Sequence, residues 1–150
     1  MKQIITLFSF LFLLTSCSND NNSNQSDVSF STVVQKDLSP SDQKPIAETK
    51  VVITDAQAWN AFITKISVVN EESKYFIDTN IDFTKFQIIA VIDQKYLNGG
   101  HTIDITKIAE NKNKIYVKVE KLHTGNIATV LTQPYHIVKI AKSSKEVIFL

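Results

Sequence analysis

The hydrophobic pattern changes period once along this chain, and that change limits the folds open to it. Trp59, Phe62, Ile63 and Ile66 fall at i, i+3, i+4 and i+7, marking one apolar face of a helix that runs to about Ser67. Thr54-Asp55-Ala56-Gln57 just before it is a capping-box pattern, with the threonine oxygen and the glutamine side chain placed to satisfy orphan amides at a helix start. Beyond Asp82 the period is two. Residues 87–92 (QIIAVI) form a continuous apolar run with β-branched residues, as expected of a central strand covered on both faces. His101, Ile103 and Ile105 alternate with Thr102, Asp104 and Thr106, and Ile115, Val117 and Val119 alternate with Tyr116, Lys118 and Glu120. The polar turn Glu110-Asn111-Lys112-Asn113 between them predicts an antiparallel hairpin. Further strands are expected at 49–53, 127–131, 135–140 and 147–149, with Pro134 breaking the ladder between the second and third of these. One helix ahead of strands predicts an α+β domain, a mainly antiparallel β-sheet with one amphipathic helix packed on it.

The N-terminus reads as an export address. Lys2 precedes an uncharged, largely apolar run at 4–14, which is shorter than the roughly 20 residues a membrane-spanning helix needs. Leu14-Thr15-Ser16-Cys17 then resembles a bacterial lipoprotein signal, in which the cysteine is lipidated and becomes the mature N-terminus. Cys17 is the only cysteine of the chain. A single acyl chain anchors a protein marginally, whereas two or more hold it stably. Removal of residues 1–16 takes away Lys2 and leaves a formally neutral chain, so lipid rather than charge would hold it to the membrane. The expected location is the bacterial cell envelope, lipid-anchored, at the outer membrane. Residues 17–45 are rich in Ser, Asn, Asp and Gln and read as a flexible tether with an end-to-end distance of roughly 30 Å. The apolar patch at 28–34 is open to a second reading as an edge strand. Residues 46–150 are then the globular domain.

Composition removes several functions. Every basic residue is a lysine and the formal net charge is +1, so neither the bidentate fork nor the positive footprint of a nucleic-acid binder is present. A lone cysteine cannot form an intrachain disulfide or a CxxC site. Gly99, Gly100 and Gly125 are the only glycines, which excludes a P-loop or a dinucleotide fingerprint, and no cofactor is expected. His101, His123 and His136 are the only candidates for neutral-pH acid/base chemistry or zinc ligation, and none lies in a tight ligand motif.

From about 82 to 141 the chain runs through an apolar strand, a polar loop ending in Asn98-Gly99-Gly100, the strand from His101, a second strand IYVKVE, and Leu131-Thr132-Gln133-Pro134-Tyr135-His136. This order resembles the C-terminal domain of the PrcB family, lipoprotein subunits associated with a surface protease complex in spirochaetes. The resemblance implies no catalytic residue. It implies a domain that binds or stabilises an envelope partner, such as a secreted or surface protease.

If the strands beginning at His101 and Tyr135 are parallel neighbours, the residues around their starts form one partner-binding patch. That patch would comprise Tyr96, Asn98, Gly99, Gly100, His101, Gln133, Pro134, Tyr135 and His136. The plainer alternatives are that the paired glycines serve a tight turn and that Tyr135 fills the core. Two other functions stay open. One is a periplasmic metal-dependent hydrolase using His101 and His136 with Asp104 or Glu120, and the other is a lipoprotein that binds a small ligand or peptide or acts as an inhibitor.

Overall fold

A computed structural model describes residues 25–38 and 46–150. The expected signal peptide at 1–16, Cys17, and residues 17–24 and 39–45 of the expected tether lie outside the described residues. The elements are β1 (Ser26–Asp27), β2 (Phe30–Leu38), β3 (Thr49–Ile53), α1 (Ala56–Ile66), a 3-10 turn (Glu72–Tyr75), β4 (Phe86–Ile92), β5 (Asp104–Glu110), β6 (Lys114–Glu120), β7 (Gln133–Ala141) and β8 (Glu146–Phe149). The α+β class holds, with mostly antiparallel pairing and a single α-helix among the described residues.

The strands form two sheets. One has the order β2-β7-β4-β3 and is antiparallel throughout. The other has the order β1-β5-β6-β8, antiparallel except for the parallel pair β6 and β8. Because successive side chains of a strand point to opposite faces, β4 feeds two cores. Ile88, Ala90 and Ile92 pack with Trp59, Phe62 and Ile66 of α1, while Ile89 and Val91 pack with Ile105, Ile108, Ile115 and Val117 of the second sheet. The unbroken apolar run of β4 therefore has a direct cause, a helix on one side and a sheet on the other.

Helix α1 is capped by Asp55 rather than Thr54. Asp55 is extended (φ −149°), and its carboxylate accepts from the Ala58 amide at 2.8 Å. It adjoins the first helical residue and brings negative charge to the positive end of the helix dipole. The expected apolar face is real: Trp59, Phe62 and Ile66 are buried, and the Trp59 ring lies 6.0 Å from Phe62 and 5.5 Å from Phe76.

Four other expectations are corrected. Residues 30–38, read by composition as tether, are the edge strand β2, in register with β7 from Phe30 opposite Ile140 to Leu38 opposite Gln133. A bulge after Thr32 lets the adjacent Val33 and Val34 both enter the core, a pattern that matches neither strict alternation nor a helix. The strand expected from His101 begins at Asp104, and residues 127–131 form no strand but an exposed loop. Pro134 lies inside β7, at a position where β4 pairing has ended; its carbonyl still accepts from the Asp93 amide at 2.9 Å, and the Asp93 carbonyl that faces the missing N–H accepts instead from Gln133 Nε2 at 2.9 Å. The β5 and β6 hairpin is as expected, its turn closed by Asn111 Oδ1, which accepts from the Asn113 and Lys114 amides at 2.9 and 2.8 Å.

Candidate functional site: a lobe of two loops

Strand β4 ends where the chain leaves the sheet, and residues 93–103 then project beside residues 121–132. The two loops bind each other along their length. Tyr96 bridges Thr132 and His101 bridges Thr124 in antiparallel fashion. Between these bridges Gly99 N–H donates to Ala128 O at 2.9 Å, Asn126 N–H to Gly99 O at 2.8 Å, and Gly125 N–H to Gly100 O at 3.2 Å. Such close backbone approach explains where the glycines fall. Gly125 has φ +106°, and a Cβ there would sit 2.5 Å from His101 Nε2; Gly100 has φ +77°, and its Cβ would sit 2.5 Å from Asn126 Nδ2. Both positions combine the left-handed region with no room for a side chain.

A buried carboxylate ties the lobe to the sheet. Asp93 is completely buried; it accepts from the Tyr96 hydroxyl at 2.8 Å, from Lys121 Nζ at 2.7 Å and from the Gln94 amide at 2.8 Å. Burial, and then the bond to Asp93, raise the Tyr96 hydroxyl above the ordinary tyrosine range, while the bond to Asp93 raises the Lys121 ammonium. The face of Tyr96 stacks on His101 at 3.6 Å between ring centres, and His101 Nε2 lies 3.0 Å from Asn98 Oδ1. Tyr96, Asn98, Gly99, Gly100 and His101 thus form one unit, joined by Lys121, Gly125 and Asn126 from the second loop.

The other half of the expected patch is interior. Strands β5 and β7 belong to different sheets, so the premise of parallel neighbours fails. Gln133 is buried and donates to Ile46 O at 2.7 Å and Asp93 O at 2.9 Å; Pro134 is buried beside it. The Tyr135 hydroxyl, fully buried, donates to Glu72 at 2.9 Å, and burial together with that carboxylate pushes it far above its usual range. His136 sits between the sheets. Its Nδ1 accepts from the Ile105 amide at 3.0 Å, which leaves the proton on Nε2 to donate to Thr32 Oγ1 at 3.1 Å. Burial lowers its pKa, with Asp104 opposing the shift. Among the described residues, no group of three or more His, Cys, Asp or Glu side chains is placed to hold a metal ion. His101 and His136 do not converge with Asp104 or Glu120 on such a site.

The lobe carries apolar side chains that the core does not claim. Leu97 is 74% exposed, Leu122 59% and Ile127 102%, with Val130 and Leu131 also exposed. The sequence pattern assigns Ile127, Val130 and Leu131 to a strand and gives Leu122 no role, so none of the four is expected on the contact patch. Asp93 and Lys121 were missed for another reason, since nothing local marks an aspartate after a strand as the anchor of a loop pair.

Residues 89–141 match the PrcB C-terminal family. The likeness is to the PrcB C-terminal domain and covers about a third of the chain. The matched segment opens within β4, takes in β5, β6 and both loops of the lobe, and closes with the last residue of β7. The PrcB C-terminal segment therefore contains the whole lobe, whereas α1, β1 to β3 and β8 lie outside it. No curated protein and no solved structure matches the chain.

Proposed function

We propose that this chain is a lipid-anchored protein of the bacterial envelope whose PrcB C-terminal domain is a non-catalytic docking module, and that the lobe is its contact surface. One observation carries the reading: a loop pair made rigid by backbone bonds and a buried carboxylate presents Leu97, Leu122 and Ile127 to solvent. Exposed apolar side chains gathered on an ordered projection favour protein contact, because burying them against a partner recovers hydrophobic free energy with less loop ordering to offset it. Cys17 provides the anchor by its place in the lipobox-like sequence. The partner is another envelope protein, and a secreted or surface protease is the first to test, following the family resemblance.

A photo-crosslinking residue at position 97 or 127 of the full chain, expressed in its native envelope, tests this reading. A single envelope protein should be captured from both positions and not from position 118, whose side chain is exposed on β6 of the second sheet. Equal capture from position 118, or none from the lobe, would remove the lobe as the contact surface. Radiolabelled palmitate should enter the wild-type chain and not Cys17→Ser; labelling of that variant would remove the anchor.

A further inference from the structure

A second feature adjoins the lobe and does not depend on what the lobe docks. A cleft of about 330 Å³ opens between β2 and the segment leading into β5, lined among others by Gln35, Asp37, His101, Asp104, His123 and Pro134. Its two carboxylates are in different states. Asp104 is satisfied: Oδ1 accepts from Gln35 Nε2, and Oδ2 accepts from Thr102 Oγ1 at 2.6 Å and from the Leu122 amide at 3.4 Å. Asp37 is not, for its Oδ1 is sealed from solvent and has no hydrogen-bond partner among the described residues. The same carboxylate also borders a neighbouring groove of about 690 Å³ against Gly99 and Gly100, so two openings meet at it.

A covered carboxylate oxygen without a donor is costly, even on a half-buried residue, and calls for an explanation. No lysine supplies one. The Lys36 ammonium lies 3.2 Å over the Tyr75 ring and 3.6 Å from Glu72, turned to the helix side of the sheet, and Lys121 is held by Asp93. Burial raises the Asp37 carboxyl, the direction expected of an acid lacking a counter-charge, although His101 and Lys36 oppose the shift.

We propose that this cleft binds an alkyl ammonium or guanidinium group, with Asp37 as its counter-ion. Two carboxylates in the lining disfavour an anion, and the side chains of Ile103 and Pro134 offer apolar wall for the stem of a long cationic side chain. The volume lies at the small end of the range for ligand pockets and suits one such group rather than a large cofactor. The cation has two sources, a free amine or a basic side chain presented by another protein.

The test is a titration of the ¹⁵N-labelled full chain in detergent micelles at pH 7.5, followed by amide chemical shifts. n-Butylammonium and methylguanidinium should give saturable shifts at the amides of Asp37, Thr102 and Asp104, and n-butanol of the same shape should give none. Asp37→Asn should weaken binding at least tenfold while its other amides stay at wild-type positions. Tighter binding of acetyl-Gly-Lys-Gly-amide than of butylammonium assigns the cation to a partner's side chain, and equal binding assigns it to a free amine. Absence of saturable shifts, equal response to butanol, or undiminished binding by a folded Asp37→Asn overturns the proposal. If Asp37→Asn fails to fold, the wild-type contrast between butylammonium and butanol decides it.

Discussion

The sheet β2-β7-β4-β3 and the lobe beside it are held together by different physics. In the sheet, β4 and β7 bury side chains on both faces, and among the polar groups admitted there Tyr135, His136 and Gln133 find partners, while Gln87 is bonded through Oε1 and leaves Nε2 unpaired. In the lobe, backbone bonds across two glycine-dependent approaches and one buried carboxylate hold the loops, while leucines and isoleucine face outward. The first region spends its apolar residues on stability. The second keeps them free, which is what a contact surface requires and a core forbids.

This contrast predicts separable responses to substitution. The largest belongs to the core: Trp59→Ala should destabilise the protein by about 3–5 kcal/mol, read from the denaturant midpoint, because a fully packed aromatic leaves a cavity between α1 and β4. Native Trp59 fluorescence should be blue-shifted and move red on unfolding. An Ala variant of unchanged midpoint would break the assignment of that helix face.

The next effect belongs to the lobe. Gly125→Ala must accept φ +106° and a Cβ 2.5 Å from His101 Nε2, so it should cost about 1–3 kcal/mol. Hydrogen exchange should show that loss at the amides of Gly99 and Asn126 while β4 and β7 amides keep their protection. Uniform loss in both regions would mean that lobe and sheet unfold as one unit. Lys121→Met is milder. It removes one of three donors to the buried Asp93, but the Lys121 side chain is 46% exposed, so screening limits the cost to about 1–2 kcal/mol.

Acid should act on the core through His136. His136 is held below its ordinary pKa in the folded protein, whereas the unfolded chain takes up the proton near the usual value of about 6.5. The unfolded state then binds more protons as pH falls through that value, so the stability contributed by neutral His136 is present above about pH 6.5 and declines below it. Protonation would also place a donor at Nδ1 against the Ile105 amide. Denaturant midpoints measured from pH 7.5 to 5.5 should fall for wild type and fall less steeply for His136→Gln. Identical slopes would remove His136 from the account.

Sequence reading reached the parts of the molecule governed by local periodicity. The face of Trp59, Phe62 and Ile66, the two-sided burial of residues 88–92, and the hairpin around Asn111 all follow from spacing that neighbouring residues display. Residues 30–38 were obscured because an edge strand with a bulge carries Ser, Thr, Gln and Asp on open positions and breaks its own period at Val33 and Val34. Half of the expected patch was legible, since Asn98-Gly99-Gly100 and Tyr96 mark a loop with backbone and aromatic demands of its own. Its other half failed on topology: nothing in Tyr135 or His136 tells that the strand they open lies between two neighbours and two cores. The second loop of the lobe was read as a strand at 127–131, because apolar residues with no internal partner resemble a strand until the surrounding structure shows that nothing covers them.

The claim that the lobe's apolar residues serve contact rather than stability is tested most directly by Leu97→Asp combined with Ile127→Asp in the full chain, with the denaturant midpoint and photo-crosslinking yield from position 122 measured on the same protein. The expected result is an unchanged midpoint and at least a tenfold loss of the crosslinked envelope partner. A lowered midpoint, or a wild-type yield at an unchanged midpoint, would contradict it.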